Sequence, residues 1–228
     1  LTVIKEGPTP LAYQGGSTGD FYIQGNRIYS CGWGVSNEEI GLFRNVSTYG
    51  STVLLWEGEE ENALIALQKY HRALHRFIPA KDAFVMSNTW GDRSKDGRVC
   101  ENFILKELET AQRLGINFCQ IDDGWQGGIT ANSVVAGGVW EGYYSNNPDF
   151  WRPHKERFPK GLDPVSNSAE DKNITLGLWF SPDSTNHFAN WEKDALTLID
   201  LHKKHGVIAF KLDGIKIRSK KGEENLFN

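Results

Sequence analysis

Apolar runs alternate with amphipathic segments along the chain from residue 83 onward. Each apolar run ends in polar residues, which predicts buried strands at about 83–86, 116–121, 174–180 and 207–213. The segments between the later runs repeat apolar residues at helical spacing, which predicts helices at about 101–114, 163–171 and 190–205. Strands and helices therefore alternate through this part of the chain.

Two of the predicted helices have end signals and apolar faces. Gly115 and Gly206 follow them at the position where a left-handed residue commonly ends a helix. The face predicted for the helix at 101–114 consists of Ile104, Leu108 and Ala111. The face predicted for the helix at 190–205 consists of Trp191, Ala195, Leu198 and His202.

The first 80 residues follow a different pattern. Short β-prone runs such as 21–23 and 52–56 stand between turn residues, and they are too few to close a sandwich. Residues 59–77 repeat apolar positions at helical spacing, and Pro79 is expected to stop that helix. We therefore predict the tail of a β-domain at 1–57, a linking helix within 58–80, and a β/α domain at 81–228.

Strands that are nearly all apolar and are separated by helices indicate a parallel sheet covered on both faces. A doubly wound sheet and a (β/α)8 barrel both fit. A doubly wound sheet would gather polar residues at one switch point, usually beside a glycine-rich phosphate turn, and the sequence has no such turn. Polar residues instead follow all four strands, as in barrel enzymes. We therefore predict an α/β fold, the first half of a (β/α)8 TIM barrel preceded by the tail of a β-sandwich domain.

Composition excludes several classes of partner. The formal net charge of -4 argues against nucleic acid or an anionic membrane as the main partner, and no apolar run is long enough to span a bilayer. No signal peptide is recognisable, and the start at Leu1 suggests a missing N-terminal piece, so the compartment stays undetermined. Cys31, Cys100 and Cys119 form neither a disulfide framework nor a metal pair, and we predict no metal and no cofactor.

Lys211 and Asp213 close the last predicted strand. Residues two apart in a strand face the same side, so both side chains are expected to point into the mouth of the barrel. An ammonium group beside a carboxylate favours the ionised, nucleophilic form of that carboxylate. The alternative is an ion pair with a purely structural role.

Other strand ends supply further candidates for substrate binding. Asp122 and Asp123 are adjacent acceptors that suit sugar hydroxyls, although Asp123-Gly124 is also an ordinary turn pair. Trp90, Trp125 and Trp179 stand at or just past three strand ends, where an indole offers an apolar platform to a sugar ring or packs in the core.

Five segments in chain order resemble the melibiase group, the α-galactosidases of glycoside hydrolase family 36. They are 88–92 (Asn-Thr-Trp-Gly-Asp), 120–125 (Gln-Ile-Asp-Asp-Gly-Trp), 157–162 (Arg-Phe-Pro-Lys-Gly-Leu), 177–182 (Gly-Leu-Trp-Phe-Ser-Pro) and 210–214 (Phe-Lys-Leu-Asp-Gly). Two departures leave the substrate and subfamily open. Many members have Lys-Trp-Asp where Leu212 stands here, and Glu-Pro-Glu where this chain has Ser-Pro-Asp.

The resemblance implies a role for each matched position. Asp213 would be the nucleophile of a retaining enzyme that cleaves terminal α-galactosides, and Lys211 would contact the sugar. Asp122 and Asp123 would hold galactose hydroxyls, and Trp90 and Trp179 would form walls of the sugar site.

The general acid is expected on a strand after Asp213, a role that the resemblance gives to neither Asp123 nor Asp183. The chain by itself is therefore expected to be inactive. The substrate implied is an α-galactoside oligosaccharide or glycoconjugate, and an oligomer of the full-length protein stays open. The alternatives are a transglycosylase of the raffinose-synthase type and a non-catalytic carbohydrate-binding protein.

Overall fold

A computed structural model describes most of the chain and divides it into two compact units. The described residues are 1–5, 21–30, 40–41, 50–92 and 94–228. The first unit comprises Leu1–Asp82 with Ile217–Lys220, and the second comprises Ala83–Lys216 with Lys221–Asn228. No helix in these ranges has both the length and the apolar character to cross a membrane.

The described strands of the first unit form two antiparallel pairs. They are β1 (Thr2–Lys5) with β4 (Ser51–Leu54), and β2 (Phe21–Gln24) with β3 (Arg27–Ser30). Gly25 has a φ of +61° in the turn between β2 and β3, a conformation that glycine adopts without a Cβ penalty. These two pairs are the β structure expected early in the chain. Their membership of a sandwich stays a prediction.

The predicted linking helix is shorter than the sequence suggests. Helix α1 (Glu60–Leu74) ends three residues before Phe77, and α2 (Pro79–Asp82) follows. Proline has no N–H to lose at the first position of a helix, so Pro79 begins α2 instead of merely stopping α1. The Asp82 carboxylate fixes this junction, because it accepts a hydrogen bond from the Ile78 N–H at 2.6 Å.

The second unit contains a four-stranded parallel sheet with helices between the strands. Its strands are β5 (Met86–Asn88), β6 (Phe118–Ile121), β7 (Thr175–Phe180) and β8 (Ala209–Leu212). Its helices are α3 (Glu101–Leu114), α4 (Tyr143–Asn146), α5 (Asp163–Asp171), α6 (Trp191–His205) and α7 (Lys220–Phe227), the last beginning at the unit boundary.

The strands lie side by side in chain order, β5-β6-β7-β8, and every neighbouring pair is parallel. A doubly wound sheet would reverse its strand order at a switch point, whereas a (β/α)8 barrel keeps chain order. The α/β fold predicted from the sequence is therefore confirmed, and the sheet has the topology of the first half of a barrel.

Helix α3 agrees with its prediction in both bounds and packing. Ile104, Leu108 and Ala111 are buried, and Gly115 adopts a left-handed φ of +72° after the last turn. The predicted face of α6 is only partly right. Asp194 and Leu201 are its buried residues, whereas His202 is exposed.

Strand β5 begins later than its apolar run. The run 83–86 predicts the strand, but pairing with β6 starts at Met86 and continues through Asn88. The register pairs Met86 with Phe118 and Ser87 with Cys119, so only the last residue of the apolar run belongs to the strand. Phe84 instead packs its ring on Phe118, with centroids 5.3 Å apart.

The long segment between β6 and α5 adds an aromatic layer to the core. Tyr143, Phe150, Trp151 and Phe158 of this segment are buried, and the Trp151 ring lies 4.2 Å from that of Phe180 in β7. Burying one such ring removes roughly 150–250 Å² from water, so the segment is a packed part of the unit. Cys119 is a buried free thiol, and Cys31 lies outside the described residues.

Candidate active site

The parallel sheet brings the polar strand ends to one edge. The Asp213 N–H donates to the Phe180 carbonyl at 3.0 Å, which extends the β7–β8 ladder one residue past β8. On the other side of the sheet, the Asp122 N–H donates to the Thr89 hydroxyl at 2.9 Å. These bonds hold the backbones of Asp122 and Asp213 at the carboxyl edge, where barrel enzymes carry their active sites.

Lys211 joins the two carboxylates across this edge. Its Nζ donates to Asp122 Oδ2 at 2.9 Å and lies 3.6 Å from Asp213 Oδ2. Partial burial lowers the pKa of Lys211, but the hydrogen bond and charge of Asp122 outweigh that effect and the pKa lies above its ordinary value. The ammonium is therefore a stable positive charge between the two acids. Within the described residues, no group of three or more His, Cys, Asp or Glu is placed to hold a metal ion.

Asp213 is held in its ionised form while it stays accessible. Trp179 Nε1 donates to Asp213 Oδ2 at 3.2 Å, and the Gly214 N–H donates to Oδ1 at 2.7 Å. Burial raises the pKa of this carboxyl, but the two hydrogen bonds and the Lys211 charge lower it further, so the net pKa lies below the ordinary value. The side chain is 46% exposed. An ionised, accessible carboxylate with oriented oxygens is suited to nucleophilic attack.

Asp122 and Asp123 have different surroundings despite being adjacent. The Asp122 side chain contacts Lys211 and is only 3% exposed. Asp123 accepts hydrogen bonds from Gln126 Nε2 at 2.6 Å and from the Thr130 hydroxyl. Burial raises the pKa of Asp123. The structure thus gives Asp123 a role in fixing the following loop, and the predicted grip of both residues on sugar hydroxyls stays a prediction.

The three candidate tryptophans also differ in access. Trp90 is partly exposed just after β5, whereas Trp125 and Trp179 are buried. Trp125 Nε1 donates to the Trp179 carbonyl at 2.8 Å, which places Trp125 in the core under the strand ends. Trp179 contacts the candidate nucleophile through its N–H, as described above. The predicted sugar-contacting roles of all three stay predictions, and Trp90 is the one with an exposed surface.

An ion pair between the partly buried Arg157 and the buried Asp96, which the sequence does not reveal, supports the turn at Asp122 and Asp123. Arg157 donates to Asp96 Oδ2 at 3.1 Å and to the Gly124 carbonyl at 3.0 Å. Asp96 also accepts from the Ser133 hydroxyl at 2.5 Å and the Val134 N–H at 2.7 Å. Arg157 stands in a recognised segment, but its partner lies 61 residues away. No local pattern could have paired them.

A second buried acidic pair anchors the loop after β7. Asp194 Oδ2 accepts from the Asp183 N–H at 2.9 Å, and Oδ1 accepts from the Tyr144 hydroxyl at 2.7 Å. The Asp183 side chain accepts from the Gly142 N–H at 2.8 Å and from Asn190 Nδ2 at 3.0 Å. Both carboxylates are thus used to join α4, β7 and α6. Burial raises the pKa of Asp194 to about 6.

We expect Asp194→Asn to make stability less dependent on pH. A folded-state pKa raised from 3.8 to about 6 means that the folded state holds its proton more tightly. The stabilisation that protonated Asp194 contributes is fully present below pH 3.8 and is lost as the pH rises through about 6. Asparagine cannot ionise, so the unfolding temperature of the full-length variant should fall less between pH 4 and pH 8 than that of the unmutated protein, by a few degrees.

The measurement is thermal unfolding of both proteins between pH 4 and pH 8. The exposed Asp200→Asn on the same helix is the control and should leave the profile unchanged. A difference between Asp194→Asn and the unmutated protein that is the same at every pH would contradict this account.

Comparison with known proteins identifies the family of this chain. The sequence model of the melibiase family matches residues 64–195, which is more than half of the chain. The chain belongs to the melibiase family.

Curated α-galactosidases match the chain over a limited part of their own length. The α-galactosidase of Escherichia coli is 27% identical over 170 residues, which is 72% of this chain and 21% of the relative. The α-galactosidase Mel36A of Lactobacillus acidophilus is 25% identical over 132 residues, 56% of this chain and 16% of the relative. The chain thus spans about a fifth of the length of these proteins.

Solved α-galactosidase structures also align with the chain. The Thermus thermophilus enzyme, in complex with p-nitrophenyl α-D-galactopyranoside, has a TM-score of 0.49 at 21% identity and covers 80% of this chain and 40% of its own. The Lactobacillus brevis enzyme has a TM-score of 0.43 at 16% identity over 63% of this chain and 23% of its own.

Proposed function

We propose that the protein containing this chain hydrolyses terminal α-galactosides by double displacement, with Asp213 as the nucleophile. The observation that carries the proposal is the contact set of Asp213. Its carboxylate accepts two hydrogen bonds, faces the Lys211 ammonium and remains partly exposed at the carboxyl edge of the sheet. Membership of the melibiase family and the names of the matched relatives support the substrate class.

In the first step, a lone pair of Asp213 attacks the anomeric carbon as the bond to the leaving-group oxygen breaks. The leaving oxygen takes a proton from a carboxylic acid, and the galactosyl unit remains as an ester on Asp213. In the second step, water attacks the same carbon and gives a proton to the carboxylate that the acid became in the first step. The ester bond to Asp213 breaks, which releases galactose and restores the Asp213 carboxylate. Two inversions give net retention of configuration.

Lys211 and Asp122 are proposed to bind the galactosyl hydroxyls beside the nucleophile. The ammonium of Lys211 donates and the carboxylate of Asp122 accepts, so together they can hold neighbouring hydroxyls of one ring. Their contact at 2.9 Å fixes both groups before substrate arrives. Asp123 and Trp125 are then proposed to act by supporting this pair, and Trp90 by contacting the sugar directly.

The general acid is proposed to come from a later strand of the longer protein. Retaining hydrolysis needs a second carboxyl about 5 Å from the nucleophile. Asp183 is buried among hydrogen-bond donors, and Asp122 is bound to Lys211, so neither is free to protonate a leaving group.

The test follows the stereochemistry of the product. The full-length protein is mixed with p-nitrophenyl α-galactoside, and the anomeric protons are followed by NMR before mutarotation. We expect α-galactose to appear first. Initial release of β-galactose would contradict double displacement, and turnover of other α-glycosides but not of the galactoside would contradict the substrate class.

A further inference from the structure

A backbone group orients Asp213, and other residues hold that group in place. The Gly214 N–H donates to Asp213 Oδ1 at 2.7 Å. This hydrogen bond lowers the pKa of the carboxyl, and it leaves Oδ2 as the oxygen that contacts Trp179 and Lys211. The direction of the Gly214 N–H therefore sets how the candidate nucleophile faces the site.

Two residues pack closely against Gly214. Its φ is +65°, and a Cβ there would lie 2.8 Å from Ser181 Oγ and 3.2 Å from Trp140 Cε3. A side chain at this position would therefore strain the backbone and clash with both neighbours. Ser181 is fully buried and directly follows Phe180, whose carbonyl accepts the Asp213 N–H at 3.0 Å. The turn after the nucleophile thus rests on Ser181 and on the Trp140 ring.

One hydroxyl group joins these two neighbours of Gly214. Tyr143 Oη lies 3.0 Å from the Trp140 carbonyl oxygen and 2.8 Å from Ser181 Oγ. A carbonyl can only accept, so the Tyr143 proton goes to Trp140 and the Ser181 hydroxyl donates to Tyr143. Burial raises the pKa of Tyr143, so the phenol keeps this proton at neutral pH. The same group therefore fixes both contacts of Gly214.

The core holds the Tyr143 ring in place. The residue is fully buried, and its ring centroid lies 4.7 Å from that of Phe150 and 5.2 Å from that of Trp151. Close packing of this kind leaves the ring little room to turn, so the hydroxyl meets its two partners at a fixed position. Phenylalanine at this position would keep the packing and remove the hydroxyl alone.

We propose that Tyr143 is a positioning residue for the nucleophile Asp213. Its hydroxyl holds the two residues that pack on Gly214, which keeps the Gly214 N–H directed at Asp213 Oδ1. Because Tyr143 is fully buried, it acts through this turn and not by contact with the sugar. The inference rests on the proposed function and adds to it the device that orients the reacting carboxylate.

The test removes the hydroxyl and measures the chemistry of Asp213. In the full-length protein, Tyr143→Phe should lower kcat/KM for p-nitrophenyl α-galactoside about tenfold, because a less well oriented nucleophile reaches the attack geometry less often. The inhibition constant of free galactose should change by less than about twofold, since Lys211 and Asp122 are unaltered. The acidic limb of kcat/KM should move to higher pH, because a weaker Gly214 hydrogen bond raises the pKa of Asp213.

Two comparisons separate positioning from a general loss of stability. Tyr144→Phe is the matched control, because it removes another tyrosine hydroxyl of α4, one that donates to Asp194 at 2.7 Å. It should lower the unfolding temperature as Tyr143→Phe does, but leave kcat/KM and its acidic limb unchanged. Ser181→Ala should reproduce the pH profile of Tyr143→Phe. The double variant should lose no more activity than either single variant, since the two hydroxyls act as one unit.

Three results would overturn the inference and leave the proposed function standing. They are an acidic limb that stays in place in both Tyr143→Phe and Ser181→Ala, the same shift of the limb in Tyr144→Phe, and additive losses in the double variant. Absence of turnover by the unmutated protein would overturn the inference and the proposed function together.

Discussion

Asp213→Asn in the full-length protein should lower kcat/KM for p-nitrophenyl α-galactoside by on the order of 10⁴- to 10⁶-fold, the range found when a covalent nucleophile is removed. An amide cannot form the galactosyl ester, so the first displacement is lost. The loss should appear in kcat, because the proposed binding of the galactosyl hydroxyls by Lys211 and Asp122 does not depend on the Asp213 carboxylate.

The asparagine variant also tests folding separately from chemistry. Asp213 accepts from Trp179 on one oxygen and from Gly214 on the other. Asparagine keeps one acceptor and turns its amide toward the second donor, and the 46% exposure of this side chain lets water relieve the mismatch. Circular dichroism and the unfolding temperature should therefore stay close to those of the unmutated protein.

Two further variants complete this test. Asp200→Asn changes an acid of the same unit whose side chain is 58% exposed, and it should leave kcat/KM unchanged. Asp213→Ala opens space for a small anion, so added azide should restore turnover and give β-galactosyl azide. Unchanged activity in Asp213→Asn would overturn the assignment. Azide rescue that yields the α-azide would contradict attack by Asp213 on the anomeric carbon.

The sequence allows prediction of the edge at which the site lies because strand ends leave a local signal. An apolar run followed directly by polar residues marks Asp122 and Asp213, and parallel strands bring such ends together. The contact between Lys211 and Asp122 joins residues 89 positions apart, yet it follows from that rule. Helix α3 was predictable for the same kind of reason, since its apolar face and terminal Gly115 are local.

What could not be predicted depends on contacts without a local signal. Trp179 is a candidate sugar platform in the sequence, and no local pattern shows that its ring is buried and that its N–H donates to Asp213. The sequence gives no signal for the role of Asp194, because its contacts with the Tyr144 hydroxyl and the Asp183 N–H join residues of separate elements. Residue type and spacing show which groups lie near the edge, whereas side-chain direction depends on packing by distant residues.

Lys211→Met should lower kcat/KM by about 10²- to 10³-fold, comparable to removing one preorganised electrostatic partner from an active site. Methionine has a similar length and no charge, so the change isolates the ammonium. Two losses combine: the donor proposed to hold a sugar hydroxyl disappears, and the positive charge that keeps Asp213 ionised is gone.

The pH profile separates these two losses. The Lys211 charge lowers the pKa of Asp213, so its removal raises that pKa. Asp213 must be ionised to attack, and a higher pKa moves the acidic limb of kcat/KM to higher pH. Lys211→Arg keeps the charge and should leave the limb in place, although its different shape lowers kcat/KM through hydroxyl binding.

Stability should respond as well, because the Asp122 side chain is only 3% exposed. Removing Lys211 leaves this buried carboxylate without its cation, which should lower the free energy of unfolding by about 1–3 kcal/mol. The loss is smaller than for a fully buried pair because Lys211 is 39% exposed. The double variant Lys211→Met with Asp122→Asn should recover part of that loss without recovering activity. Lys204→Met, which breaks an exposed pair with Asp200, should change neither the stability nor kcat/KM. An acidic limb that stays in place in Lys211→Met would show that the ammonium does not control the ionisation of Asp213.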